Sequence, residues 1–418
     1  MRNFSIAGLT ELMSSSTAAA ERVVVERTQL GEHVVTTPVQ RRWPELADQD
    51  YGTLDTAIEV TGPVDFPALR AALTSVIERH SGLRTSFPKI DGVWTQRLGR
   101  GQDVGWVDLA DASEHEASSR VEALLSAEAH HQFDLSSEAP FRVTLVRCDP
   151  ERGLIVFHGH HVVFDGWSSS VFMRDTQDLY SGRSLRPPFE YGHYALALEA
   201  FESTNVAATI RRSWQRHFDG APAPTRMPPD RDGASSSDHG DRVDFDVPPD
   251  VWAAIQRAAE ARQVTPFAVL MAAFGRLVRD ETGDDDIVVG TTTAGRTTPE
   301  TEEIVGVFVN PLPVRLPRTR LEGADDIDEA DAALTHFHDA QPPALEDLVR
   351  TVPPFVGLGL NDACHCYLLF QSYWRRDPAG WALASRQVTM PSTSQHRLMR
   401  EFEIVLEPRP DRLAGEVW

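Results

Sequence analysis

One stretch of the chain gathers groups able to move a proton: His160-His161-Val162-Val163-Phe164-Asp165-Gly166. A neutral imidazole can accept a proton from an attacking amine or hydroxyl near pH 7, which is the work of a general base. Asp165, four residues beyond His161, is placed to hold the geometry of a loop, and Gly166 supplies a backbone conformation that a Cβ resists. Other readings compete. Adjacent histidines after a strand are often satisfied structural groups. His158 and His160 could form a metal pair, but on a strand they share one face while His161 takes the other, so three ligands from this run are sterically awkward. Ser168, Ser169 and Ser170 follow, yet no Gly-x-Ser-x-Gly elbow surrounds them and helix capping suits them better than nucleophilic attack.

The elements around the motif must present it. Leu154-Ile155-Val156-Phe157 is a continuous apolar run of strand length, which suits a central strand, Gly153 to His158, buried on both faces. A helix is expected from about Ser168 to Tyr180, stopped by Ser181-Gly182. The motif therefore lies at a strand-to-helix junction, where sheet scaffolds present reactive groups. Upstream, Leu54 to Val60 reads as a strand, followed by a helix opened by Asp65, or by Pro63-Val64 before it, with Leu69, Leu73, Val76 and Ile77 on one face. Val93 to Leu98 and Phe141 to Arg147 read as further strands. Downstream, the spacing predicts helices over Pro249–Arg262 and Thr265–Arg279. Strands follow over Asp286–Thr291, Val305–Leu316 (interrupted at Asn310-Pro311), Glu401–Leu406 and Leu413–Trp418. Strands and helices mix in both halves, giving an α/β (α+β) protein of two lobes, each roughly 200 residues.

Composition removes several function classes. A formal net charge of −22 repels polyphosphate, so nucleic acid is not a partner. Lys89 is the single lysine among 40 basic residues and sits in a turn-like stretch, which argues against Schiff-base chemistry. No long apolar run or signal pattern occurs, so the reading is a cytoplasmic protein without membrane contact. Cys148, Cys364 and Cys366 suit reduced thiols. Cys364-His365-Cys366 lacks further ligands at matching spacing, so no metal is assigned and the pair reads as buried strand residues.

The motif His160-His161-x-x-x-Asp165-Gly166 resembles the signature of nonribosomal peptide synthetase condensation domains, within the chloramphenicol acetyltransferase superfamily. Other stretches resemble that family in order and spacing: Thr37-Pro38-Val39-Gln40-Arg41-Arg42-Trp43, Arg79-His80-Ser81-Gly82-Leu83-Arg84-Thr85-Ser86-Phe87, Asp285 to Gly290 with Ala294-Gly295-Arg296, and Val305 to Leu312. Departures exist. Tyr191-Gly192-His193-Tyr194-Ala195-Leu196-Ala197-Leu198 carries His193 and Ala197 where the family has Asp and Trp, a loss of bulk expected to open space under the site. His338 to Glu346 resembles its family counterpart only loosely, and Thr351 to Tyr373 fits poorly, pointing to an unusual acceptor.

The resemblance implies two chloramphenicol-acetyltransferase-like lobes, each a mixed sheet flanked by helices, set in a V around a central tunnel. It implies an acyltransferase: a condensation domain moving an acyl group from a carrier-bound thioester to an amine or hydroxyl. His161 is then the catalytic histidine, while His160, Asp165, Gly166, Arg79 and Arg84 support the motif, with Arg79 paired to Asp165. Gly306, Asn310, Tyr194 and Ser168 are expected at the tunnel or substrate. No cofactor is bound directly; the phosphopantetheine arms of donor and acceptor carrier proteins enter from opposite faces. As an excised domain the chain is expected to be monomeric. Residues 1–31 read as a linker, with Ile6 to Met13 resembling the end of an upstream carrier protein or else an ordinary terminus. Residues 32–219 form the N-terminal lobe, 220–243 the connection and 244–418 the C-terminal lobe. The ending at Trp418, short of the family's final strand-to-helix segment, fits a fragment of a larger assembly-line enzyme. Rival readings are a transferase using a free alcohol or amine acceptor or a coenzyme A donor, an epimerase relative, and a non-catalytic docking platform, whose members tend to have a damaged histidine motif.

Overall fold

A computed structural model describes residues 23–45, 52–228, 242–318, 325–339, 342–371, 383–388, 400–409 and 412–418. The architecture is mixed α/β, with helices packed on two main sheets. The first sheet has five strands in the order Ala384–Val388, Thr53–Thr61, Arg152–His160, Phe141–Asp149 and Gly105–Asp108. Its central strand carries the apolar run expected from sequence, and Leu154, Ile155, Val156 and Phe157 are all buried. The helix Phe66–Arg79 covers this sheet. The Asp65 side chain accepts the Ala68 N–H at its start, and Leu69, Leu73, Val76 and Ile77 face inward at helical spacing.

The second sheet has six strands in the order Asn310–Leu316, Ile287–Thr293, Cys366–Phe370, Phe402–Pro408, Leu413–Val417 and Val243–Val247. Both sheets mix parallel and antiparallel pairs. Pro311 and Pro313 are tolerated in Asn310–Leu316 because it is an edge strand. The helices Pro249–Arg262 and Pro266–Thr282 form as their spacing predicts, the second capped by Thr265.

Several expectations need correction. The strand expected over Val305–Leu316 begins only at Asn310. The preceding backbone finds its partners in side chains of the first half: Gly306 N–H donates to Ser168 Oγ at 3.0 Å and Phe308 N–H to Asp165 at 3.0 Å. Amides satisfied in this way do not need a strand neighbour.

The lobes also exchange segments. Helix Asn205–His217 belongs to the first half by sequence, yet Trp214 and Phe218 are buried in the core of the second. Strand Ala384–Val388 returns from the second half to pair antiparallel with Thr53–Thr61. Each of the ranges 32–219 and 244–418 thus contributes a segment to the packing of the other. The segment read as a linker is attached where it is described: Val23 and Val25 are buried beside Tyr191 and Phe308, and Arg27 donates to the carbonyls of Pro187 and Pro188. The carrier-like residues Ile6 to Met13 lie outside the described residues, as does most of the connection expected at 220–243.

Candidate active site

The central strand ends at His160, and the chain turns through His161 to Asp165 before the helix Gly166–Tyr180 begins. Main-chain bonds fix the turn: His161 N–H donates to Gly52 O at 2.5 Å and Val163 N–H to His160 O at 3.0 Å. The side chain of Gln40 reaches the Val162 carbonyl from the helix Pro38–Glu45.

The two histidines hold opposite tautomers, set by what the backbone offers each ring. His160 is buried, and its Nδ1 lies 3.0 Å from the Val162 N–H, so that nitrogen is an acceptor and carries no proton. Burial, reinforced by His161 and His158, pushes its pKa down to about 3. His161 Nδ1 lies 3.1 Å from the Phe164 carbonyl, which can only accept, so that nitrogen carries the proton. In a neutral ring the lone pair then sits on Nε2, which has no hydrogen-bond partner among the described residues. The His161 pKa is lowered by burial and by Arg42, against opposing pulls from Asp165 and the Phe164 carbonyl. The ring is half-buried, and the Trp43 indole stacks on it at 5.3 Å between centroids and 12° between planes. The site can thus offer one oriented, neutral, partly accessible imidazole nitrogen.

At the other end of the motif, Asp165 is buried and caps the following helix, accepting from Ser168 N–H at 2.8 Å. Its ion-pair partner is Arg296, with Nη2 3.0 Å from Oδ1, and not Arg79 as expected. Arg79 instead joins His80 and Arg174 around Asp175, at 2.9, 2.9 and 3.0 Å. Burial alone would raise the Asp175 carboxyl; hydrogen bonding and charge from His80 and Arg174 outweigh it and hold the group at about 2. The reason for the difference is positional. Arg79 ends the helix Phe66–Arg79, which packs against the side of Gly166–Tyr180 where Asp175 points, whereas Asp165 faces the segment from the second half. Arg296 in turn donates to the carbonyls of Thr301 and Ile304 and lies over the Phe308 ring at 4.1 Å.

The remaining expected site residues divide. Ser168 is fully buried and linked to Asp165 and to both backbone groups of Gly306, so it latches the two halves. Gly306 is close-packed, since a Cβ there would overlap the Tyr191 ring. Gly166 is the first helical residue and has no positive φ, so the special conformation expected of it is not found. Arg84 donates to the carbonyls of Glu78 and Gly99.

Tyr194 and Asn310 do line a cavity of about 70 Å³ between the halves, together with Thr37, Phe201, Glu202 and Asp347. His161 is not among its lining residues, and neither is Ala197, where space was expected to open. His193 takes a structural role at the position where the family carries Asp. Its Nδ1 accepts the Glu190 N–H in a capping box, and its Nε2 meets the Thr28 carbonyl. Sequence reasoning missed Trp43, Arg296 and Arg42 as neighbours of the site, although each lies in a stretch that carried the resemblance.

Comparison with known proteins gives the class of molecule. The family model described as "Condensation domain" matches residues 32–397, and the chain belongs to that family. Condensation domains are acyl-transferring enzymes that form C–N or C–O bonds in assembly-line synthetases.

Among curated proteins, phosphinothricin tripeptide synthetase PhsB of Streptomyces viridochromogenes is 33% identical over 63% of this chain and 23% of its own length. The isonitrile lipopeptide synthase of Mycobacterium tuberculosis is 31% identical over 62% of this chain and 11% of its own length. The chain thus spans less than a quarter of the length of these relatives.

Among solved structures, the X-domain in complex with OxyB from teicoplanin biosynthesis matches at a TM-score of 0.75 and 22% identity, covering 96% of this chain and 91% of that one. The first condensation domain of the CDA synthetase matches at 0.71 and 18%, covering 92% of each chain. At these identities the structural likeness speaks to the fold alone.

Proposed function

We propose that this chain transfers an acyl group from a carrier-bound thioester to an amine or hydroxyl, with His161 as the reacting base. The observation that carries the reading is the tautomer of His161. Its Nδ1–H is committed to the Phe164 carbonyl, which leaves the Nε2 lone pair unclaimed on a half-exposed ring. In the reaction the acceptor nitrogen or oxygen attacks the thioester carbon, the new C–N or C–O bond forms and the C–S bond breaks. His161 Nε2 takes the acceptor proton and returns it to the departing thiolate. Burial favours the neutral ring that this step needs. His160, Asp165 and Arg296 hold the loop; Tyr194 and Asn310 are proposed to contact substrate from the cavity between the halves.

Phosphopantetheine enters as the arm of the partner and not as a resident group. Carrier proteins are generally acidic, so an acidic chain must meet them through a local basic surface. The helix Asn205–His217 supports such a surface. Arg212 and Arg216 are exposed and Arg211 is half-buried, and none of the three makes an ion pair among the described residues. Arg375-Arg376, another basic stretch of the sequence, lies outside the described residues.

The docking-platform reading draws support from the likeness to an X-domain solved with OxyB. The oriented His161 lone pair favours catalysis over it. The test offers one acyl group on a carrier protein and on coenzyme A and compares kcat/KM. Preference for the carrier is expected; reaction of the coenzyme A ester alone overturns carrier dependence, and no transfer from either, across a panel of acceptors, favours docking.

A further inference from the structure

A buried ion pair lies next to Trp43, the residue whose ring stacks on His161. Arg42 Nε lies 2.5 Å from Glu346 Oε1 across 304 residues of sequence, with side chains only 6% and 16% exposed. The pairing is single-point. Arg42 Nη2 and Glu346 Oε2 are both buried without a hydrogen-bond partner, where a two-point fork would satisfy them. Such a pair is a weak stabiliser, because desolvation offsets the Coulombic gain unless the remaining donors and acceptors are met. What it joins is more informative.

Arg42 precedes Trp43, whose indole stacks on the His161 ring and meets His160 edge-on. Glu346 lies in the first turn of the helix Leu345–Thr351, and the N–H of Leu345 is held by Asn310 Oδ1 at 3.2 Å. A continuous set of contacts therefore runs from strand Asn310–Leu316 of the second sheet through Glu346, Arg42 and Trp43 to the imidazole.

We propose that Arg42 and Glu346 are positioning residues: together they press Trp43 against His161 and set the orientation and basicity of the ring from the second half of the molecule. The proposal rests on reading His161 as the reacting group. Among the described residues, the charged or titratable groups around His161 are Asp165 with its partner Arg296, His160, and Arg42 with Glu346 behind it. Arg42 disfavours the imidazolium; by Coulomb's law the carboxylate of Glu346, paired to Arg42, acts in the opposite sense.

The test needs no knowledge of the substrate. Diethyl pyrocarbonate acylates neutral imidazole, and peptide fragmentation separates His161 from His160, so the labelling rate against pH reports the titration of His161 directly. Glu346→Gln leaves the Arg42 charge uncompensated and should lower the midpoint by several tenths of a pH unit. Arg42→Met leaves the Glu346 charge and should raise it by a similar amount. Trp43→Ala should increase the plateau rate severalfold by uncovering the ring. Loosened packing alone would move the first two variants the same way, so opposite shifts are the diagnostic result.

Unchanged midpoints, or shifts of one sign, in variants with native circular dichroism overturn the proposal. If Arg42→Met fails to fold, Arg42→Lys keeps the charge and should hold the midpoint while raising the plateau rate; a wild-type rate there also overturns it. Labelling does not depend on turnover, so an active His161→Ala enzyme would remove the catalytic reading while leaving these shifts to be judged separately.

Discussion

The two ends of the motif from His160 to Gly166 are built on opposite principles. At the aspartate end, Asp165 accepts from Ser168, Arg296 and Phe308, is wholly buried, and ties the helix start to the second half of the chain. At the histidine end, each ring has one nitrogen committed to the backbone, and His161 keeps a lone pair on a half-exposed ring. A buried polar group whose contacts are saturated holds structure; a polar atom left unclaimed where solvent can reach is where chemistry is available.

That contrast breaks most severely at Asp165. Asp165→Ala leaves Arg296 buried without its counter-charge, and a loss of about 3–5 kcal/mol is expected, measured by denaturant unfolding. A stable Asp165→Ala protein would dissolve the distinction between the two ends.

His160 sharpens the contrast through pH. Its folded pKa of about 3 lies below the ordinary histidine value of 6.5, so the unfolded chain takes up this proton first as pH falls. Stability from the buried neutral ring is present above pH 6.5. It is lost between pH 6.5 and 3, with a slope of about 1.4 kcal/mol per pH unit. His160→Gln should flatten that part of the stability profile, and an unchanged slope would remove His160 as its source.

Ser168→Ala removes one hydroxyl shared by Asp165 and Gly306 and should cost about 1–2 kcal/mol, with transfer activity reduced only in proportion to folded protein. A selective fall in turnover would place Ser168 among the substrate contacts. Arg79→Met should have the smallest effect, about 1 kcal/mol, because His80 and Arg174 remain on Asp175. A loss matching that of Asp165→Ala would mean that Arg79 serves Asp165 after all.

Much of this was legible in the chain because local physics encodes it. The apolar run from Leu154 to Phe157 reads as a buried central strand, and helices are expected to begin near Asp65 and at Thr265, since capping and burial act within a few residues. The pairing of Asp165 was not legible in the same way. Arg79 and Arg296 are chemically equivalent candidates, and only the docking of the Gly306–Phe308 backbone onto the helix start decides between them. Helix Asn205–His217 lies within residues 32–219, assigned to the N-terminal lobe, and nothing local says that Trp214 and Phe218 fill the core of the other half. His161 was singled out by its motif, while its tautomer depends on which backbone group the turn brings to Nδ1.

The central claim is that the unclaimed nitrogen of His161 takes the acceptor proton. Intact-protein mass spectrometry of acyl transfer between a loaded carrier and its acceptor, under single-turnover conditions, tests it in wild type and His161→Ala. A fall of roughly 10²- to 10⁴-fold in rate, with an unfolding midpoint close to wild type, is the predicted result. Transfer at the wild-type rate by a correctly folded His161→Ala protein would contradict the account.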